Sequence, residues 1–409
     1  MKFHNIDLAN YVNGFNIEVD GRELNILARD VRTAIDAISF KLLPMNVLPF
    51  IPSTISPCKA SQLDDYLEHP TKAFEEYTKM GAKKLIGELK HMGSRAVILA
   101  FESEAKALEY TNQSKTTIIY TRKGLPFFKG SDDDYICDKI QSLLKANDYY
   151  KKHDTGFVLI DAEILPWNAK GSGLLTNQYL PVLDSSKSLN ENIQKNLKDI
   201  DGLDYIADEI TNNLDNIGKY KEQLENYCWD ADITSIKIAP FHLLAHEKKT
   251  FFDKTHEWHL NHFNELIAMT TNDLFEKTPY VIVDLDDEAS KERAVDFWLD
   301  ITSKGYEGVM FKTETFIEKN ENGETILPMM KVRGKDYLRI IYGINYNSDK
   351  YLDKLRYRNV SKKRFLHYKE TALAIESVKL FANGEPFEKW HDYLFANLCL
   401  GNVVTDHRL

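Results

Sequence analysis

The chain has 409 residues, of which 43% are hydrophobic and 28% charged, a balance that excludes a largely disordered protein. At about 150 residues per domain, roughly two to three domains are expected. Its 62 acidic and 52 basic residues leave a net charge of −10, which argues against a nucleic-acid coat protein unless the basic residues cluster. No apolar run approaches the roughly 18 residues that span a membrane, and residues 1–12 mix polar with apolar side chains, unlike a signal peptide. Cys58, Cys137, Cys228 and Cys399 are scattered with no CxxC pair. That pattern excludes a disulfide scaffold and a zinc ribbon and points to a reducing cytoplasm.

Asp20-Gly21 predicts a turn between two short strands, and 30–40 a helix. Pro44, Pro49, Pro52 and Pro57 make 43–58 an extended connection, because a proline disfavours helix at the residue before it. His69-Pro70 introduces a short helix over 71–80. Strand patterns then crowd together at 84–90, 95–101, 116–121 and 156–165. From 186 to 226 the pattern turns polar and helical, like an inserted module, with an acidic bias over 191–232. Strands resume at 236–239 and 280–284, a helix covers 288–303, and strands return at 308–312 and 329–333. Everything beyond Tyr342 reads as helix. Between Lys331 and Glu370 twelve Lys or Arg stand against four acids, leaving +8. Such a face is either a nucleic-acid surface or a solvated helix.

The chemistry begins with exclusions. No GxxxxGK[ST] occurs, so a P-loop is excluded, and Gly171-Ser172-Gly173 lacks the spacing of a dinucleotide fingerprint. Asp284-Leu285-Asp286-Asp287 sits between strand and helix, where acids act as caps more often than as a phosphatase pair. His256, His259 and His262 recur every third residue, yet without HExxH a structural role outweighs a metal site. What remains is charge carried on apolar strands. Lys90 ends one strand and opens a turn. Asp161 and Glu163 share the face opposite Val158, Ile160, Ala162 and Ile164. Glu307-Gly308 leads into Val309-Met310-Phe311, which ends in Lys312, and Lys331 and Arg333 share one face of a further strand. Each alone reads as a solvated strand face; together they suggest one polyanion site with a metal.

Lys90-His91-Met92-Gly93-Ser94-Arg95 resembles the KxxG nucleophile motif of covalent nucleotidyltransferases, the superfamily of DNA ligases, RNA ligases and mRNA capping enzymes. Asp161-Ala162-Glu163 resembles its carboxylate strand, Glu307-Gly308-Val309-Met310-Phe311-Lys312 its EGxxxK motif, and Lys331-Val332-Arg333 its final basic strand. More closely, KHMGSRAV, YTRKGLPFF, DAEILPWNAK, FHLLA, KVRGKDYLRIIYG, PSTISPC and Asp406-His407-Arg408-Leu409 resemble the ligase domain of the bacterial polynucleotide kinase-phosphatase-ligase. That similarity runs from about Ala34 to Leu409. Two positions depart from the pattern: Arg333 stands where most ligases carry lysine, and Leu89 where an acid is expected.

The resemblance implies an α+β fold: a ligase-type nucleotidyltransferase core of antiparallel sheet, unrelated to ATP-grasp, with an inserted helical module and a helical C-terminal domain. It divides the chain into an N-terminal accessory module (1–57), an adenylyltransferase domain (58–343, with the insert at about 186–232) and a helical domain (344–409). It implies an ATP-dependent RNA ligase of bacterial RNA repair that joins 5′-phosphate and 3′-OH ends through a lysyl-AMP intermediate, with Mg²⁺ or Mn²⁺. Lys90 would be the nucleophile. A free lysine, with a pKa of about 10.4, is protonated at neutral pH, so Lys312, Lys331, Arg333 and the metal are expected to depress it. Arg95, Glu163, Glu307, Met310, Lys312, Lys331 and Arg333 would bind the nucleotide, with Met310 or Val309 walling the adenine and Glu307 and Glu163 holding metal directly or through water. Arg122, Lys350, Lys354, Arg356, Arg358, Lys362, Lys363 and Arg364 would contact RNA. Because kinase and phosphatase parts are missing, a kinase-phosphatase subunit and an RNA 2′-O-methyltransferase subunit are the expected partners, with no membrane. Two alternatives stay open: a GTP-using capping guanylyltransferase, which should carry an OB-fold after Arg333, and a non-catalytic RNA-binding subunit.

Overall fold

The computed structural model describes residues 2–3, 6–38, 43–167, 175–197, 200, 202–228, 232–269 and 273–409. The glycine stretch at 171–173 lies outside them. β1 (Lys2–Phe3) and β2 (Ile6–Asp7) form a small pair, and β3 (Gly14–Val19) with β4 (Arg22–Leu27) forms the expected hairpin. Asp20 (φ 53°) and Gly21 (φ 68°) both adopt the left-handed conformation that a tight hairpin turn requires. α1 (Ala28–Ile38) follows. α2 (Pro70–Met80) is delimited by its own sequence: His69 accepts from the Thr71 N–H, Pro70 takes the first position, and Gly81 ends it at φ 90°.

The remaining elements are β5 (Lys84–Lys90), β6 (Ser94–Phe101), α3 (Glu104–Thr111), β7 (Thr117–Thr121), α4 (Ser131–Ala146), α5 (Tyr149–Lys152) and β8 (Phe157–Leu165). After these come the helical pair α6 (Leu180–Leu197) and α7 (Asp204–Tyr227), then β9 (Lys237–His246), β10 (Lys249–Thr250), α8 (His256–Ala268), β11 (Tyr280–Asp284), α9 (Glu288–Ser303), β12 (Gly308–Thr313) and β13 (Met329–Arg333). The C-terminal part holds α10 (Leu338–Tyr342), α11 (Asp349–Arg356), α12 (Ser361–Ala382) and α13 (Phe387–Leu400). Residues 401–409 are not helical, which limits the all-helix expectation for this end.

Two antiparallel sheets organise the chain, ordered β10-β9-β8-β6-β7 and β11-β5-β12-β13. Strand alternation gives each sheet two different faces. In the four-stranded sheet Leu85, Leu89, Val309, Phe311, Met330 and Val332 point into a core with Phe74 and Tyr77 of α2 and Trp298 of α9. In the five-stranded sheet Ile98, Ile160 and Ile164 pack on α4 and α8. Its other face (Val97, Leu99, Leu159) shares a core with the β3–β4 hairpin, α12 and α13. The N-terminal hairpin and the C-terminal helices are therefore one packed unit, although sequence distance sets them in separate modules. The proline-rich connection runs beside β13: Lys331 N–H donates to the Ser56 carbonyl and Cys58 N–H to that of Lys331. An edge position suits a segment with few N–H donors. Among the described residues no helix is long and apolar enough to cross a membrane.

Candidate active site

The inner faces of the two sheets enclose a cavity of about 230 Å³. β5 supplies Glu88 and Lys90, β12 Met310 and Lys312, and β13 Met329 and Lys331, each pair two residues apart on one face. The other sheet supplies Arg95 from β6, Glu163 from β8 and Phe241 with His242 from β9. Ser53, Thr54 and Ile55 of the proline-rich connection, Arg122 beyond β7, and Lys363 of α12 close the remaining wall.

Glycines fix the two loops that carry the ends of this site. A Cβ at Gly93 would meet the Ile164 carbonyl at 2.4 Å and Glu163 Cγ at 2.7 Å, so the turn after Lys90 can lie against β8 only without a side chain. Gly308 has φ 144°, and its Cβ would meet the Val332 carbonyl at 2.2 Å. That close approach seats Glu307 at the strand entrance.

Lys90 Nζ donates to Glu307 Oε2 at 2.7 Å; the lysine side chain is 21% exposed and the carboxylate 6%. Lys312 Nζ lies 2.5 Å from Glu88 Oε2 and 3.2 Å from His242 Nε2. Arg95 forks onto Asp161 at 3.0 and 2.6 Å. His242 Nδ1 is 3.2 Å from the same carboxylate, so Nδ1 carries the proton and Nε2 accepts from Lys312. Burial keeps this imidazole neutral, well below the ordinary histidine range, with Lys312 acting in the same direction. Asp161 thus orients the Arg95 cation directly and Lys312 through the neutral His242, without lining the cavity. Phe241 lies beneath both, 5.6 Å from the Arg95 guanidinium and 5.1 Å from Lys312 Nζ. Glu88, His242 and His256 place donor atoms within 4.8 Å of one another, a spacing open to a metal, but the Lys312 ammonium is the cation that Glu88 and His242 contact.

The Glu163 side chain has no hydrogen bond or ion pair among the described residues. Burial pushes its carboxyl up to about 7; Glu307 adds to this, against the opposing pull of Lys90. An unpartnered, half-buried carboxylate beside Glu307 fits a hard divalent cation, which takes oxygen ligands. Lys331 is likewise unpartnered at Nζ, and burial drives its ammonium well below the ordinary lysine range, with Arg333, Lys363 and Lys90 pushing the same way.

Of the residues expected to bind nucleotide, the structure brings Arg95, Glu163, Met310, Lys312 and Lys331 to the cavity, with Glu307 on Lys90. Val309 instead faces the outer core. Arg333 corrects its expected role. Its guanidinium is 2% exposed and turned to Glu68, at 2.6 Å (NH2 to Oε1) and 3.2 Å (Nε to Oε2), and it also donates to the Arg408 carbonyl.

Most of the expected RNA contacts are likewise engaged within the chain. Arg358 bonds Glu68 at 2.8 Å, and Arg364 bonds Glu76 at 2.6 Å. Arg356 donates to the Ser61 and Leu63 carbonyls, Lys362 to that of Val404, and Lys363 to that of Leu409. Lys350 and Lys354 stay exposed, and Arg122 lines the cavity. Three arginines of the +8 segment, Arg333, Arg358 and Arg364, are internal staples on Glu68 and Glu76, which lie some 260–290 residues away and so cannot be seen from local sequence. Sequence reasoning missed the roles of Glu88, Asp161 and His242; a charged residue two positions before Lys90, and so on the same strand face, is the signal that would have found Glu88.

The histidine triplet does not converge: His256 meets His242, His259 Nδ1 accepts from Leu243 N–H, and His262 pairs with the Tyr149 hydroxyl. Asp287 caps α9 through the Ala289 N–H, as its position predicts.

A family profile described as "PNKP adenylyltransferase domain, ligase domain" matches residues 33–403. No curated protein matches the chain. A chain in a structure of the Pnkp1/Rnl/Hen1 complex is similar over 89% of this chain and 96% of its own length, with a TM-score of 0.66 and 19% identity. A second, from the Pnkp1/Rnl/Hen1 RNA repair complex, gives a TM-score of 0.63 at 18% identity over 93% and 98%. At such identities these likenesses establish the fold, an α+β core with antiparallel sheets.

Proposed function

The chain belongs to the PNKP adenylyltransferase, or ligase, domain family, and we propose that it is an ATP-dependent RNA ligase of RNA repair that works through Lys90-AMP. The observation that carries this reading is a lysine at a strand end, 2.7 Å from a buried carboxylate, opening onto a cavity walled by further cations. Lys90 must lose a proton before it attacks, and Glu307 is the group within reach to accept it. Nζ then bonds the α-phosphorus, pyrophosphate leaves with the electrons of the broken P–O bond, and the second lysine proton passes to solvent. Lys312 and Lys331 stabilise charge on the phosphoryl oxygens because they are already in place, Lys312 buried and Lys331 half-buried. His242 and Glu88 hold Lys312 there; Asp161 holds Arg95 and His242. Glu163 and Glu307 would hold Mg²⁺ or Mn²⁺, which when bound supplies further neutralisation of phosphate charge.

AMP would next pass to an RNA 5′-phosphate and be displaced by a 3′-OH. The neighbours' complexes carry the names Pnkp1 and Hen1 beside Rnl, which supports a kinase-phosphatase and a methyltransferase as partners of this chain too. Incubation with α-labelled ATP and Mg²⁺ or Mn²⁺, followed by denaturing electrophoresis, tests the reading. Label retained on the chain is expected; no label with ATP, or label only with GTP, would sink it.

A further inference from the structure

A second cavity, of about 80 Å³, adjoins the first through Arg122, which lines both. Its walls are Ile51 and Pro52 of the proline-rich connection, Arg122 and Leu125 beyond β7, Glu370 of α12 and Asn397 of α13. A water occupies about 10–15 Å³ of such a space, so there is room for roughly five to eight waters, or for a sugar and its hydroxyls. Glu370 is 1% exposed, and one of its oxygens is engaged: Oε2 accepts the Thr54 N–H at 2.5 Å. Oε1 has no hydrogen bond or ion pair among the described residues and remains accessible. Asn397 fixes the Glu370 backbone against the connection, donating from Nδ2 to the Glu370 carbonyl at 3.0 Å and to that of Ile51 at 3.2 Å. The half-buried Arg122 side chain likewise makes no hydrogen bond or ion pair among the described residues, so the two charges face each other without closing the cavity. Each still acts on the other. Burial raises the Glu370 carboxyl and Arg122 opposes this, while Glu370 opposes the lowering that burial imposes on Arg122. A carboxylate and a guanidinium held apart in one cavity call for a ligand that brings a hydrogen-bond donor to the first and an acceptor to the second.

We propose that this second cavity seats the ribose of an RNA end being joined, with Glu370 Oε1 accepting from its 2′-hydroxyl and Arg122 meeting the adjoining phosphate. The proposal rests on the RNA-ligase reading above. A ribose with its phosphate carries both required groups within one nucleotide, and the 2′-hydroxyl is the donor that RNA has and DNA lacks. Position agrees with chemistry: through Arg122 the cavity meets the one that Lys90 lines, where an end must lie to reach AMP. Glu370 lies outside the four charged strand motifs, on a C-terminal helix.

The test compares full-length wild-type and Glu370→Gln chains on 5′-phosphate and 3′-OH RNA ends of three kinds: all-ribose, 2′-deoxy at the 5′-phosphate nucleotide, and 2′-deoxy at the 3′-OH nucleotide. Each is read by fluorescence anisotropy for binding and by the rate of joining. Wild type should bind one of the deoxy ends about tenfold or more weakly, as for a lost hydrogen bond to a charged group, and the arm that loses identifies the end seated here. Glu370→Gln keeps the side chain's shape and an acceptor for Thr54. It should lose a similar factor on all-ribose RNA and little more on that deoxy end, because the contact is already weakened. Equal binding of ribose and deoxy ends by wild type overturns the proposal, and this arm decides even where the variant loses its fold. Losses from variant and deoxy end that simply multiply overturn it too, as does an equal fall in labelling of Glu370→Gln by ATP, which would mark a structural role. A wild-type chain that takes no label from ATP would instead remove the ligase reading beneath it.

Discussion

Glu68 is a carboxylate with 1% exposure that serves two guanidiniums. It takes Arg333 at 2.6 and 3.2 Å, Arg358 at 2.8 Å and the Arg333 N–H at 2.9 Å. Glu68→Gln would leave both arginines buried without their anion. Breaking one partner of a buried ion pair costs about 3–5 kcal/mol. A second route gives a similar size. The two arginines overcome the opposing effect of burial and hold the Glu68 carboxyl at about 2 against an ordinary 4.5, a difference equivalent to roughly 3 kcal/mol. Because the folded-state value is depressed, this contribution is complete above the ordinary carboxyl range and is lost as pH falls towards 2. Urea unfolding of both chains at neutral pH should show the variant less stable by about 3 kcal/mol, and the gap should narrow on acidification. A variant within about 1 kcal/mol of wild type at neutral pH, well below the buried-pair range, or a gap that stays constant in acid, would refute the clamp.

Three other outcomes are expected. Lys90→Arg keeps the charge but presents a guanidinium that is not deprotonated, so labelling by α-labelled ATP should vanish while the melting temperature holds; retained label would move the nucleophile elsewhere. Gly93→Ala forces a Cβ to 2.4 Å from the Ile164 carbonyl and should cost about 1–3 kcal/mol in thermal unfolding; adenylylation should fall with it as Glu163 is displaced, and an unaffected rate would mean that the turn yields freely. With the Glu163 carboxyl raised to about 7, protons compete with metal below that pH. The Mg²⁺ or Mn²⁺ concentration giving half-maximal labelling should therefore rise as pH falls from 8 to 6, and a flat dependence would separate Glu163 from the metal.

Much of the fold was legible because the strands obey simple alternation. The expected segments 84–90, 280–284, 288–303 and 329–333 coincide with β5, β11, α9 and β13. The strand expected over 236–239 runs on through Pro240 to His246 as β9. Pro240 sits opposite Ala162 at a register shift, where a missing N–H is tolerated. α3 and α4 escaped notice although Ser103 caps the former and acids open the latter. Within the site, the motif spacing identified which side chains share the cavity, since period-two placement decides that. It could not distinguish Lys331, free in the cavity, from Arg333, two residues on along the same strand, because the difference is made by Glu68 on a distant loop.

The core shared by the β3–β4 hairpin with α12 and α13 bears on how the chain is made. Ile17, Ile26 and Val31 are buried against residues such as Leu373, Phe381 and Phe395. On a ribosome elongating at about 5–20 residues per second, those partners emerge roughly 350 residues after the hairpin, on the order of 20–70 s later. Through that interval the hairpin's apolar side lacks its cover, and closure requires long-range contacts of the kind that slow folding. Nascent chains halted before α12 should accordingly bind holdase chaperones through their first 50 or so residues, and release them once α13 has cleared the exit tunnel.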